Sequence, residues 1–150
     1  MRILLSLIVV AFAFSASIAH ADLEPWKDYE PSEEVWSVTT VRVKPNLHDA
    51  YLEGLAQTWA AGNEVAKELG QIEDWAIYRS SLPESGDFNL LLVVKFKNSE
   101  DMQPNKEAYE AFMAKWGEER AKETTEYAQK NYPAMRKITG QYVMRKITLK

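Results

Sequence analysis

The 150-residue chain contains no cysteine. Disulfides, thiolate catalysis and zinc–thiolate sites are therefore excluded outright. Histidine is almost as scarce, with His20 and His48 alone. The first falls in a segment that reads as a leader, which leaves one histidine for any role. A multi-histidine metal centre is impossible on that count. No serine nucleophile elbow, phosphate-cradling glycine loop or dinucleotide fingerprint occurs, and no D-x-D-x-D-G spacing favours calcium. Little in the chain announces chemistry.

What is present begins with the N-terminus. After Met1-Arg2, residues 3–14 read ILLSLIVVAFAF, apolar apart from one serine and too short to span a bilayer. Small residues and an A-x-A site, Ala19-His20-Ala21, follow. The pattern predicts a secretory signal peptide over 1–21 with cleavage before Asp22. No cysteine follows the site, so a lipoprotein anchor is excluded. No second apolar run approaches spanning length, which predicts no membrane association after cleavage. A short leader without a long basic start suits the periplasm.

The formal charge is −4, from 18 basic and 22 acidic residues. All the acidic residues lie before residue 127, whereas residues 127–150 hold 6 basic residues and no acidic one. The negative balance and the export signal both argue against a nucleic-acid partner.

Residues 22–34, DLEPWKDYEPSEE, have two prolines and no apolar period, and read as an extended arm that Trp26 and Tyr29 could dock. The rest, 35–150, is one domain by size. Residues 35–44 are rich in β-branched side chains and predict a strand. Pro45-Asn46 breaks it, with Asn46 suited to cap a helix over 47–69 whose stripe is Leu52, Leu55, Trp59, Ala66 and Leu69. Gly54 and Gly62 each weaken that helix by about 1 kcal/mol unless the backbone packs closely there. Residues 75–80 and 88–97 predict two strands joined by a hairpin-length loop. A helix over 104–131 presents Tyr109, Phe112, Met113, Trp116, Arg120 and Tyr127, with Pro133 as its stop. A last strand covers 141–149. The order is βαββαβ, the ferredoxin-like arrangement of an α+β fold with a four-stranded antiparallel sheet and two helices on one face.

Such a sheet should be apolar on one face only. In the third strand Phe88, Leu90, Leu92, Val94 and Phe96 form the face assigned to the helices, yet Leu91 and Val93 make the centre of the other face apolar too. The first strand likewise places Trp36 and Val38 opposite Val41 and Val43. A second subunit whose sheet covers the first answers this economically. In element order and patterning, residues 35–149 resemble the dimeric α+β barrel superfamily, which includes the antibiotic-biosynthesis-monooxygenase-like and stress-responsive barrel families. The resemblance implies a homodimer with a barrel between two sheets, often enclosing a small-molecule cavity. The superfamily holds oxygenases, haem enzymes, isomerases and proteins without known activity, so fold cannot choose a function.

Candidate site residues are few. His48, in the first turn of the first helix, could serve as a general base or, as in some related barrels, a haem ligand; an ordinary surface histidine is the simpler reading. Trp36, Trp75, Tyr78 and Tyr142 lie on strands and could line a cavity for a flat apolar ligand if their faces converge. Arg79, at a strand end, could bind a ligand carboxylate. Core packing and a solvated arginine are the plain alternatives. Trp59 and Trp116 belong to the core by helical spacing.

The pentapeptide MRKIT occurs twice, at 135–139 and 144–148. An odd separation of nine sends the copies to opposite faces of any continuous strand, and Gly140 places the first copy outside the regular strand. The pairs Arg136-Lys137 and Arg145-Lys146 then form no single anion patch; they dress a sheet edge.

The expectation is an exported homodimer that binds a small apolar or amphipathic molecule between paired sheets without transforming it. No metal and no cofactor is called for, with haem left open. The alternatives are a cofactor-free oxygenase-like or haem-dependent enzyme, and a structural or interaction protein working through its acidic arm.

Overall fold

The computed structural model describes residues 22–150; the predicted leader, with His20, lies outside the described residues. A short strand β1 (Tyr29–Pro31) precedes β2 (Val35–Val43). A helical rod follows, made of α1 (His48–Leu55), a π-helical turn (Ala56–Ala60) and α2 (Ala61–Glu68). Next come β3 (Asp74–Arg79), β4 (Leu90–Phe96), α3 (Lys106–Trp116), α4 (Glu118–Met135), β5 (Arg136–Met144) and β6 (Ile147–Leu149). Four strands form an antiparallel sheet in the order β3-β4-β2-β5. The chain is α+β with ferredoxin-like topology.

Local chemistry sets the breaks. Asn46 does not cap α1; it takes a positive φ of 64° and turns the chain out of β2, a conformation asparagine tolerates better than most residues. Leu47 stands at the N-cap position and makes no side-chain cap bond. Asn105 does cap α3, accepting from the Ala108 amide at 3.1 Å. The long second helix is two, because Gly117 at φ 88° interrupts it. Pro133 lies inside α4. It removes one backbone donor in the last turn, where only two residues remain, so the helix closes just after it.

The core lies between the sheet and the helices. Val41, Val43, Tyr51, Leu55, Leu90, Leu92 and Tyr132 are its buried cluster. Alternation along β2 and β4 puts Val41 and Val43 with Leu90 and Leu92 on this side. Gly54 lets the rod meet α4 closely: a Cβ there would stand 2.9 Å from the Tyr127 ring and 3.1 Å from that of Tyr132. Gly62 is in ordinary contact only. Trp59 meets Trp75 edge-on at 5.5 Å, and Trp116 is buried under the Arg120 guanidinium, 4.0 Å from the ring centre. Phe88 is exposed, since β4 begins two residues later.

The first MRKIT copy is in the sheet: β5 opens at Arg136. The irregularity Gly140 announces is accommodated by a register shift opposite Thr40 and Val41 rather than by ending the strand. Arg136 turns inward, its guanidinium 5.4 Å from the Tyr132 ring and 5.9 Å from that of Tyr51. The second copy ties down the arm. β6 pairs antiparallel with β1, Arg145 donates to the carbonyls of Ser32 and Glu33 at 2.9 and 3.0 Å, and Lys150 meets Glu30 at 2.7 Å. Backbone pairing and the basic tail hold the acidic arm, while Trp26 is 71% exposed.

Candidate functional site

Two places carry unspent chemistry: the sheet surface away from the helices, and a corner where α1 begins.

The strand registers build the first. Across the sheet centre, Ala76 pairs with Val93, Val93 with Val38, and Val38 with Tyr142. Beside this row run Tyr78, Leu91, Thr40 and Gly140, and on its other side Lys95, Trp36 and Met144. All project from the outer face. Tyr78 and Tyr142 stand on the two edge strands, three strand spacings or about 14 Å apart, and both are more than half exposed. They flank a floor in which Val93 is buried and Val38 and Leu91 half-buried. The Tyr142 ring lies over Gly140, where a Cβ would come within 2.5 Å of its hydroxyl.

Both ends of this floor are polar. At one, Lys95 sits 5.6 Å from the Trp36 ring centre and bridges Glu34 at 2.6 Å and Glu73 at 2.9 Å. Hydrogen bonds to those carboxylates hold its ammonium above the ordinary lysine range. At the other, the Thr40 and Thr139 hydroxyls share a hydrogen bond of 2.8 Å.

Trp36, Tyr78 and Tyr142 thus come together on the outer face. Trp75 and Arg79 do not join them. They pair with Val94 and Leu90 and face the helices, Trp75 donating its indole N–H to Glu64 at 2.8 Å. Trp75 and Tyr78 are three residues apart, and in a strand an odd separation means opposite faces.

Arg79 instead borders one cavity with His48, the other residue flagged from the sequence. A cavity of about 300 Å³ is bordered by Pro45, His48, Asp49, Arg79, Pro83 and Glu84. His48 is 7% exposed and its Nε2 is buried without a hydrogen-bond partner. Arg79 approaches Asp49 at 3.7 Å, while Glu84 is engaged by Arg42 at 3.6 Å. These short charged walls suit a small polar guest better than the broad apolar macrocycle of a haem. Among the described residues no group of three or more His, Cys, Asp or Glu side chains is gathered as a metal ion would need, and no helix is long and apolar enough to cross a membrane.

Asn89 supports this corner and was not singled out from the sequence. It is buried; its Oδ1 accepts from the Val43 amide at 2.8 Å, and its Nδ2 donates to the carbonyls of Val43 and Pro83 at 2.9 and 3.1 Å. Its one sequence signal is a lone amide heading an otherwise apolar strand.

No family model matches the chain, and no curated protein sequence matches it. Solved structures do resemble it. A nipsnap family protein of unknown function from Agrobacterium tumefaciens is 16% identical, with 82% of this chain and 95% of that one covered and a TM-score of 0.47. The hydroxynitrile lyase of Passiflora edulis is 16% identical over 77% of this chain and 95% of its own, at a TM-score of 0.46. A protein of unknown function from Thermobifida fusca, described as dimeric and ferredoxin-like, is 6% identical over 77% and 91%, at 0.39. At these identities and scores the likenesses carry no statement about activity.

Proposed function

We propose that two copies of this chain pair through the outer faces of their sheets and hold a small apolar or amphipathic molecule between them without transforming it. One observation carries the reading. Half of the exposed large apolar side chains among the described residues lie on β5 and β6: Ile138, Tyr142, Val143, Met144, Ile147 and Leu149. Tyr142 and Met144 continue the outer face to the open edge of β5, Ile138 and Val143 stand on the other side of that same edge strand, and Ile147 and Leu149 extend the strip along β6. A strip of that extent is rarely left to water, and unpaired strand edges invite a partner. A second copy is the fitting occupant because one patch then meets itself about a twofold axis, and both strips are covered together. The floor of Val38, Leu91 and Val93 would receive the apolar body of the guest, with Lys95 and the Thr40–Thr139 hydroxyls at its polar ends.

The empty catalytic inventory supports binding over turnover. In the same reading the chain is exported to the periplasm, with residues 1–21 as the leader; the apolar run and the Ala19-His20-Ala21 site support this.

Light scattering and native mass spectrometry test the assembly. The expected species is twice the chain mass, with an extractable small molecule. Tyr142→Lys, at an exposed position, is expected to raise the dissociation constant at least about 100-fold, the loss of one central aromatic anchor with a charge put in its place. A monomer at high micromolar concentration overturns the pairing, and a dimer that releases nothing on denaturation overturns the guest.

A further inference from the structure

The corner where α1 begins lies on the helix side of the sheet and is independent of the pairing above. From its geometry we infer that it binds the carboxylate of a small organic acid, held between Arg79 and the N-terminus of α1 with His48 at its back.

Three observations converge. First, the first amides of any helix lack an intrahelical partner, and at α1 no side-chain cap takes them up, so its positive end can receive an anion. Second, His48 lines the cavity of about 300 Å³ while more than nine-tenths buried, with Nε2 unpartnered. A buried nitrogen left without a partner costs about 1–3 kcal/mol. Third, Arg79 presents a half-exposed guanidinium whose nearest carboxylate, Asp49, is 3.7 Å away and 91% exposed. That is a loose ion pair, and exposed pairs of this kind contribute little.

Asp49 indicates the class of guest. Its carboxylate approaches the guanidinium through one Nη1–Oδ1 distance of 3.7 Å, whereas a free carboxylate can match the planar fork of an arginine two bonds at a time. Once Asp49 swings outward, the guest replaces it. The other nearby carboxylate, Glu84, is already engaged by Arg42. Pro45 and Pro83 form apolar walls, which suit a short hydrocarbon body behind the acid group. Asn89 fixes Pro83 through its carbonyl, so that wall is anchored to the core.

The test uses the full chain, butyrate as the probe and inorganic phosphate at matched ionic strength as its comparison. His48 ring resonances, assigned by their loss in His48→Gln, are followed by NMR. Butyrate is expected to shift them saturably, and Arg79→Gln to weaken binding at least about tenfold. Asp49→Asn removes the internal competitor and is expected to tighten binding about threefold. No saturable shift overturns the inference, as does unchanged affinity in a folded Arg79→Gln. Phosphate binding as tightly as butyrate overturns the carboxylate assignment. Should Arg79→Gln fail to fold by circular dichroism, Asp49→Asn decides: affinity unchanged or weakened rejects the site.

Discussion

At the scale of single residues, the polar groups in the core are the most exacting. Asn89 supplies both partners that the Val43 backbone would otherwise lack at the end of β2, so Asn89→Ala leaves a buried amide and a buried carbonyl unsatisfied. The expected loss is about 3 kcal/mol, read as a lower urea midpoint at unchanged m-value. Tyr51 and Tyr132 act in the opposite sense at high pH. Burial raises the phenol pKa of each above 10.0, with Arg136 opposing the rise. Above about pH 10 the unfolded chain releases these protons while the folded one keeps them. Their contribution is therefore complete below pH 10 and falls as pH rises beyond it. Urea midpoints at pH 8 and pH 11 should show the decline, and Tyr51→Phe should reduce it; an equal decline in the variant would remove Tyr51 from the account.

Among the elements, the β1–β6 ribbon and the helical rod show what patterning can and cannot convey. The apolar stripe of the rod was legible, and so was the need for close packing at Gly54. The partner was not: Tyr127 and Tyr132 reach Gly54 from α4, and no spacing in the rod points to them. The ribbon was less legible still. Residues 22–34 lack any strand period, and β1 forms because the C-terminal segment offers it a ladder. Arg145→Ala removes two charge-assisted bonds to that arm. Opening of the ribbon should become easier by about 1.5 kcal/mol, roughly tenfold in amide exchange at Glu30. Unchanged exchange would mean that the ladder alone holds it.

For the whole molecule, one sheet has two employments. Its inner face is finished by the chain's own helices, with Val41, Val43, Leu90 and Leu92 buried in one cluster. Its outer face is half-finished, a covered floor between exposed tyrosines. The proposed pairing completes it, and the Tyr142→Lys dimer measurement is the prediction at this scale. The two halves of the acidic and basic charge asymmetry also meet here, since the basic tail closes on the acidic arm through Lys150 and Arg145. The repeated MRKIT belongs to this scale as well. Identical words do different work: Arg136 packs against buried tyrosine rings, and Arg145 fastens a peripheral strand.

The βαββαβ order of the main sheet and its helical segments, the face of β4 that meets the helices and the poverty of catalytic groups were determined by the sequence, because periodicity and composition are local properties. The company each side chain keeps was decided only by tertiary structure. Trp75 and Tyr78 part by simple alternation, but His48 and Arg79, thirty-one positions apart, border one cavity only because β2 ends where β3 ends. Contacts across such distances depend on register and on turns such as the one at Asn46, and a linear pattern holds no record of either.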